Sequence, residues 1–487
     1  MRIVVNRKSN RFYPDSRRVI IRFYHHGLER SRGLAQRVMA MPNQEAEQAL
    51  AQTLRNFAKR HRKLTDRFLA HYNQAREMLR ENDLVLNGMS KAKKLLLGAY
   101  FSKEYSIESA AFFNPSIVES PDQSELEEGS KRVIVSFRAT GEGHVSSIVF
   151  HSGIIHHNGE LEFEQSRRYI DEPEIVKRHR YNKKSFVNKL REMNVDGEII
   201  ASVMESLPEK FIYGELVAAV EQAIENNHAD RGRNRAIQEI IWLADSHYEV
   251  EFSRNTDLSE RVIFPVSYAE RKGIEDARFV KFTDDTGEVV YYGTYTAYDG
   301  NTILPKLILT RDFYHFQVKP LHGRGAQNKN LALFPRKING QYVMLSRIDG
   351  VNSYIGFSDN INLWDEPIKI QEPKYPWEFV QVGNCGAPHE TSAGWVVITH
   401  GVGPMRRYCL GASLLDLADP TREIGRLKEP LLIPNNEERE GYVPNVVYSC
   451  GSLIHNGELI VPYGLSDSGT GFLSVNLGQL LARLIED

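Results

Sequence analysis

From about residue 250 onward the chain runs in short apolar and polar alternations broken by turn residues, and one local pattern recurs: a small or polar residue, a glycine, then an alternating strand. It reads Thr286-Gly287-Glu288-Val289-Val290-Tyr291-Tyr292, Asn339-Gly340-Gln341-Tyr342-Val343-Met344-Leu345, Ala393-Gly394-Trp395-Val396-Val397-Ile398 and Asn456-Gly457-Glu458-Leu459-Ile460-Val461. An earlier copy stands at Asn158-Gly159-Glu160-Leu161-Glu162-Phe163. Successive later glycines are 53, 54 and 63 residues apart, near the roughly 50-residue period of a four-stranded propeller blade. This spacing predicts radial β blades around a central pocket, where polar residues at matching points of each repeat converge.

Two stretches switch to helical spacing. Ala46, Ala49, Leu50, Leu54, Phe57, Phe68, Leu69, Tyr72 and Leu79 predict two or three amphipathic helices between 43 and 108. Phe186, Leu190, Ile199, Ile200, Val203, Leu216, Val217, Val220 and Ile224 predict a second helical stretch over about 174–245, which accounts for the long gap between the first hairpin glycine and the second. Residues 1–30 mix basic and apolar positions, as in Arg18-Val19-Ile20-Ile21-Arg22-Phe23-Tyr24, and predict an edge strand or a packing arm. Strands are expected from about 110 to 165, with Arg132-Val133-Ile134-Val135-Ser136-Phe137-Arg138 the clearest, and a closing helix over Leu477 to Ile485. The expected fold is therefore mainly β: an N-terminal arm and helical extension over 1–108, then a β-propeller domain over 109–487 with a helical insertion.

Composition narrows the function classes. A net charge of −2 over 487 residues supplies no bulk field for nucleic acid or an anionic membrane. The basic run Lys59-Arg60-His61-Arg62-Lys63, without interleaved aromatics, reads as a solvated helix face. Cys385, Cys409 and Cys450 are too few and scattered for a disulfide framework or a CxxC site, and read as small buried apolar residues of a cytoplasmic protein. The N-terminus lacks a signal-like apolar core, and no segment is long enough to span a bilayer. His25-His26 and His156-His157 point apart in a strand, so no histidine metal site is expected. GxGxxG, Walker and GxSxG motifs are absent, which argues against nucleotide and serine-hydrolase chemistry.

Polar clusters interrupt the β pattern. In Gly273-Ile274-Glu275-Asp276-Ala277-Arg278-Phe279, strand alternation places Asp276 and Arg278 on one face and Glu275 on the other. A carboxylate beside an arginine there is a general acid, a grip on a sugar hydroxyl, or a structural ion pair. Lys329, Arg347 and His400, at comparable ends of their repeats, make an anion pocket suited to phosphate, unless each is structural by itself. Tyr442 and Asp467 are an aromatic and a carboxylate of the kind that bind a sugar ring and its vicinal hydroxyls, or else a buried tyrosine and a turn aspartate.

Over roughly 110–475 the chain resembles glycoside hydrolase family 130, the mannoside phosphorylases and related β-mannosidases. The resemblance rests on Phe113-Asn114-Pro115, Phe137-Arg138, Gly273 through Arg278, Leu333-Phe334-Pro335 through Arg347, Gly394-Trp395 through His400-Gly401, Gly441-Tyr442-Val443-Pro444-Asn445, and Pro462-Tyr463-Gly464 with Asp467. It implies a five-bladed propeller, with Asp276 as general acid acting through a mannose hydroxyl. Lys329, Arg347 and His400 would hold inorganic phosphate, and Asn114, Arg138, Arg278 and Asp467 would line the mannose site. The implied reaction is inverting phosphorolysis of a β-mannoside to α-mannose 1-phosphate, needing phosphate as co-substrate and no cofactor.

Two departures stand out. Ala277 replaces the family's usual proline, and Gln381 stands where its phosphorylases commonly carry a phosphate-binding lysine. The alternatives are an inverting β-1,2-mannosidase, with Glu390 or Glu440 as the base, and a non-catalytic propeller that binds glycans or proteins. The resemblance places a chain with such helical additions among the family's longer members, which implies β-1,2-linked manno-oligosaccharides as substrate, and the apolar faces of the helices predict a homo-oligomer.

Overall fold

At the hairpin signatures the backbone turns as asparagine and glycine allow. Asn339 and Gly340 have φ of +51° and +80°, and Asn456 and Gly457 have +47° and +77°. Two successive positive φ values make the two-residue turn whose twist matches that of its flanking strands, so Ile338 pairs with Gln341 and His455 with Glu458. The structure, a computed structural model, describes residues 3–176, 180–225 and 231–486.

Five antiparallel sheets of four to six strands are found among the described residues. The first is built on Ala111–Glu119, Lys131–Thr140, Ser146–Ile155 and Leu161–Phe163, and the second on Gly273–Thr283, Val289–Tyr298, Ile303–Thr310 and His315–Pro320. The third holds Lys329–Leu333, Tyr342–Arg347, Ser353–Ser358 and Ile368–Gln371; the fourth holds Gln381–Asn384, Gly394–Val402, Tyr408–Leu415 and Glu423–Arg426. The fifth, on Val447–Tyr448, Glu458–Leu465 and Gly469–Asn476, is completed by the N-terminal strand Val5–Phe12, which pairs with Gly469–Asn476. The expected N-terminal edge strand thus joins the two ends of the chain in one sheet.

The first strands of successive sheets touch. Ala111–Glu119 packs on Gly273–Thr283, that strand on Lys329–Leu333, and that on Gln381–Asn384. Val447–Tyr448 meets Tyr408–Leu415, and Glu458–Leu465 returns to Ala111–Glu119. The Asn158-Gly159 copy is out of phase with the other four. It joins the third and fourth strands of its sheet, whereas the matching first-to-second turn runs through Gly129, at φ +77°. Turn chemistry marks a tight hairpin wherever it falls in a sheet.

The expected helices are present, with one more ahead of them. Asn43–Phe57, Leu64–Arg80 and Lys91–Tyr100 lie in the first stretch, and Leu28–Ala40 begins where an arm was expected. Phe68, Tyr72 and Leu79 are buried among them. The insertion holds Lys183–Glu192, Gly197–Met204, Tyr213–Glu225 and Arg231–Asp245, around a core that includes Phe186, Leu190, Val203 and Leu216. Asp196 caps the second of these by accepting from the backbone N–H of Glu198 and Ile199. The closing helix spans Leu477–Glu486.

The basic run is not a free helix face. It links two helices, with Arg60 and His61 on Glu104 and Arg62 on Glu260. Among the described residues no helix is long and apolar enough to cross a membrane.

Candidate active site

The first strands of the first three sheets break their pairing at the same point. The register slips between Phe113 and Ser116, between Glu275 and Arg278, and between Lys329 and Ala332. Inside these bulges Asn114, Asp276 and Asn330 hold left-handed backbone, at φ +48°, +55° and +65°. Asparagine and aspartate tolerate that conformation better than other L residues, and a bulge re-aims the side chain it carries. Asn330 and Asn384, 54 residues apart, then lock neighbouring sheets: each side-chain amide donates to the other's backbone carbonyl, at 3.1 and 2.6 Å.

These side chains meet in a cavity of about 210 Å³, lined by Asn114, Arg138, Asp276, Lys329, Arg347, His400 and Asp467 among others. Seven of the residues singled out in the sequence are thus brought to one place. Arg278 lies just beneath: it is buried, and donates to the Asp276 backbone carbonyl and to the Tyr448 hydroxyl. Tyr442 is the exception. It is 69% exposed, its ring lies 5.0 Å from His144, and its neighbour Val443 lines the cavity instead. Glu440 is exposed and Glu390 is paired at the surface with Arg336, so neither lines the cavity.

The bulge overturns the expected facing of the acidic pair. Arg138 reaches both carboxylates, Glu275 at 2.9 Å and Asp276 at 3.4 Å, because left-handed Asp276 no longer alternates with its neighbour. Glu275 also holds Lys329 at 2.7 Å, and Asn114 donates to Asp276 at 2.7 Å. Desolvation works to raise the Asp276 pKa, but the charges of Arg138, Arg278 and Lys329 outweigh it and hold the carboxyl below its ordinary value. Asp467 goes the other way. Burial and the Asp276 charge push it up to about 6, against Arg138 and Arg406. The cavity therefore holds an ionised carboxylate beside one poised to take a proton near neutrality.

Arg347 and His400 line the same cavity. Arg347 is buried, and its Nε and Nη1 have no hydrogen-bond partner. A buried guanidinium with unmet donors calls for an anionic acceptor. His400 is 1% exposed, and burial with the charges of Arg347 and Arg278 drives its pKa far below the usual value, so it is a neutral imidazole. Its ring stacks on Tyr408 at 6.1 Å. Gly383 makes the room: a Cβ there would stand 2.7 Å from His400 Cε1.

The Tyr448 hydroxyl accepts from both Arg278 and Asn330, which leaves its own proton for a ligand. Tyr448, Tyr408, Asn330 and Arg406 escaped the sequence reading as site residues. The asparagine carried a legible signal, the 54-residue step that relates Asn330 to Asn384 and Glu275 to Lys329. Among the described residues no group of three or more His, Cys, Asp or Glu is placed to hold a metal ion, and the three cysteines are free and buried.

The family model of glycoside hydrolase family 130, described as beta-1,4-mannooligosaccharide phosphorylase, matches residues 231–486. The chain belongs to this family. A 1,2-beta-oligomannan phosphorylase of Thermoanaerobacter sp. (strain X514) is 38% identical over 209 residues, 42% of this chain and 68% of that protein. A beta-1,2-mannobiose phosphorylase of Listeria innocua is 29% identical over 231 residues, 46% of this chain and 63% of that one. A solved structure of the Listeria innocua beta-1,2-mannobiose phosphorylase with beta-1,2-mannobiose has a TM-score of 0.46 at 22% identity, covering 79% of this chain and 94% of that one.

As a family 130 member, this chain carries its departure at Gln381 inside the cavity. The Gln381 amide nitrogen lies 3.5 Å from both His400 Nε2 and the Tyr408 hydroxyl, so a neutral group occupies that place. A cation stands on the same cavity from another loop: Arg406, at φ +54°, with its guanidinium 5.7 Å from the Tyr408 ring.

Proposed function

We propose that this chain is an inverting β-mannoside phosphorylase that cleaves β-1,2-linked manno-oligosaccharides with inorganic phosphate and releases α-mannose 1-phosphate. In this reading the five sheets are the blades of a five-bladed propeller and the cavity lies on its axis. One observation carries the assignment: Arg347, buried with two unpartnered donor nitrogens, faces the cavity that also holds Asp276. That arginine fits a phosphate, whose oxygens accept in the guanidinium plane. Phosphate is already a charged nucleophile, so a second carboxylate acting as base is not required. Glu390 and Glu440, the candidates for that role, do not line the cavity.

Phosphate binding also prepares the acid. Arg138, Arg278 and Lys329 keep Asp276 ionised in the empty site. A phosphate dianion beside Lys329 and Arg347 offsets that field, raises the proton affinity of Asp276, and makes it a donor only once the nucleophile is present. Neutral His400 and the Tyr408 hydroxyl supply further hydrogen bonds to the phosphate, while Asn114, Arg138 and Asp467 bind the mannose hydroxyls. The β-1,2 linkage is supported by the names of both relatives, against the β-1,4 linkage named for the family model.

The test is incubation with β-1,2-mannobiose and with β-1,4-mannobiose, each with and without phosphate. The expected result is α-mannose 1-phosphate from the β-1,2 disaccharide in the presence of phosphate only. Free mannose released at one rate in both conditions overturns the reading in favour of hydrolysis, and preference for the β-1,4 disaccharide overturns the linkage.

A further inference from the structure

A second cavity, of about 220 Å³, lies where the helical insertion meets the second and third sheets. The insertion contributes the strand Arg180–Asn182 and the start of helix Lys183–Glu192; the sheets contribute Lys319, Pro320 and His322 and the loop around Asn362. None of its lining residues belongs to the cavity around Asp276.

Its chemistry is one-sided. Arg180 and Lys319 line it, and among the described residues lining it there is no carboxylate. Burial lowers the pKa of the Lys319 ammonium, against the charge of Glu249, so this cation is partly stripped of water. The first turn of a ten-residue helix opens onto the same space through Asn182 and Ser185 and adds its partial positive charge.

The opposite wall asks for hydroxyl groups. His322 is 6% exposed, and its Nδ1 has no hydrogen-bond partner; the side-chain oxygen of Asn362, on the next loop, is likewise buried and unpartnered. Buried polar atoms in native folds are nearly all satisfied, so two such orphans on one cavity wall mark the place of a ligand's polar groups. Burial and the Lys189 charge push His322 down to about 3, so its imidazole is neutral and can donate to or accept from a hydroxyl. Tyr181 and Phe186, buried in the core of the insertion, give the cavity an aromatic edge.

We propose that this cavity binds a phosphorylated monosaccharide, with the phosphate against Arg180, Lys319 and the helix start, and the sugar hydroxyls against His322 and Asn362. The site stands on these residues alone and does not depend on the catalytic assignment.

Equilibrium dialysis of labelled mannose 1-phosphate against the full chain tests it, using wild type, Lys319→Gln, Arg180→Gln and Arg347→Gln. One binding site that survives in Arg347→Gln and is lost in Lys319→Gln and in Arg180→Gln is expected, with inorganic phosphate binding there in the wild type about tenfold more weakly than mannose 1-phosphate. The Arg347→Gln protein reports the catalytic cavity separately and is expected to keep the site that Lys319→Gln loses. Equal stoichiometry in wild type and both cation variants, each melting as a folded protein, overturns the site. Equal affinity for mannose 1-phosphate and inorganic phosphate there overturns the sugar.

Discussion

Asn114 and Asp276 come from the first strands of adjacent sheets, both in left-handed backbone, and the Asn114 amide donates to the Asp276 carboxylate at 2.7 Å. Two strained bulges thus meet in one hydrogen bond at the centre of the proposed catalytic cavity. Such a bond to an ionised group contributes about 1.5–3 kcal/mol. Asn114→Ala is expected to lower kcat/KM for phosphorolysis by about 10- to 100-fold, with the melting temperature little changed, as read from initial rates and calorimetry. An unaltered rate would show that Asp276 is not oriented through Asn114.

Asp467 makes a prediction about pH. Its carboxyl is raised to about 6 in the fold, above the ordinary value near 4, so the folded chain binds this proton more tightly than the unfolded chain does. The sign follows from linkage: below pH 4 the group is protonated in both states and costs nothing. Stability falls as the pH climbs from about 4 through 6, and the full cost stands above that. Asp467→Asn is therefore expected to stabilise the protein at pH 7.5 by on the order of 2 kcal/mol, to leave it nearly unchanged at pH 4, and to impair turnover. Thermal melts at the two pH values check the difference.

Two arginines on the proposed phosphate site differ in burial. Arg347 has buried donors with no partner, whereas Arg406 is exposed at the mouth. Arg347→Lys keeps the charge but loses the planar fork, and is expected to raise the KM for phosphate by more than about tenfold. Arg406→Ala is expected to raise it only a few-fold, and less steeply in high salt, because an exposed charge is screened. Phosphate titrations at two ionic strengths distinguish them.

A stability prediction falls outside the cavity. Lys306 and Glu270 form an ion pair at 2.8 Å, both side chains 0% exposed, with the Tyr248 and Tyr295 hydroxyls donating to the same carboxylate. Lys306→Met leaves Glu270 without its cation and is expected to cost about 3–5 kcal/mol by denaturant unfolding. The double variant Lys306→Met with Glu270→Gln should recover part of that loss.

Much of this was legible residue by residue. Asp276, Lys329, Arg347, His400, Asn114, Arg138 and Asp467 all reach one cavity, because repeats of similar length bring matching points of each strand to the same place. Tyr442 stands outside it, and a polar aromatic next to a turn looks the same in sequence whether its ring points in or out. Glu275 was assigned to the wrong face because alternation assumes an unbroken strand, and the bulge between Glu275 and Arg278 breaks it. Arg406 lies in the short turn Pro404–Arg406 and Tyr408 just after it, with no repeat spacing to mark them.

What the sequence determined by itself is local: turns where asparagine and glycine accept positive φ, strands where apolar residues alternate, helices where they recur every third or fourth position, and the chemical identity of the polar residues at each repeat. What only the tertiary structure decided is how those groups feel one another. The neutrality of His400, the raised Asp467, the ionised Asp276 and the unmet donors of Arg347 all arise from burial and from charges on other sheets. Electrostatic fields and desolvation depend on distance in space, which no pattern along the chain contains.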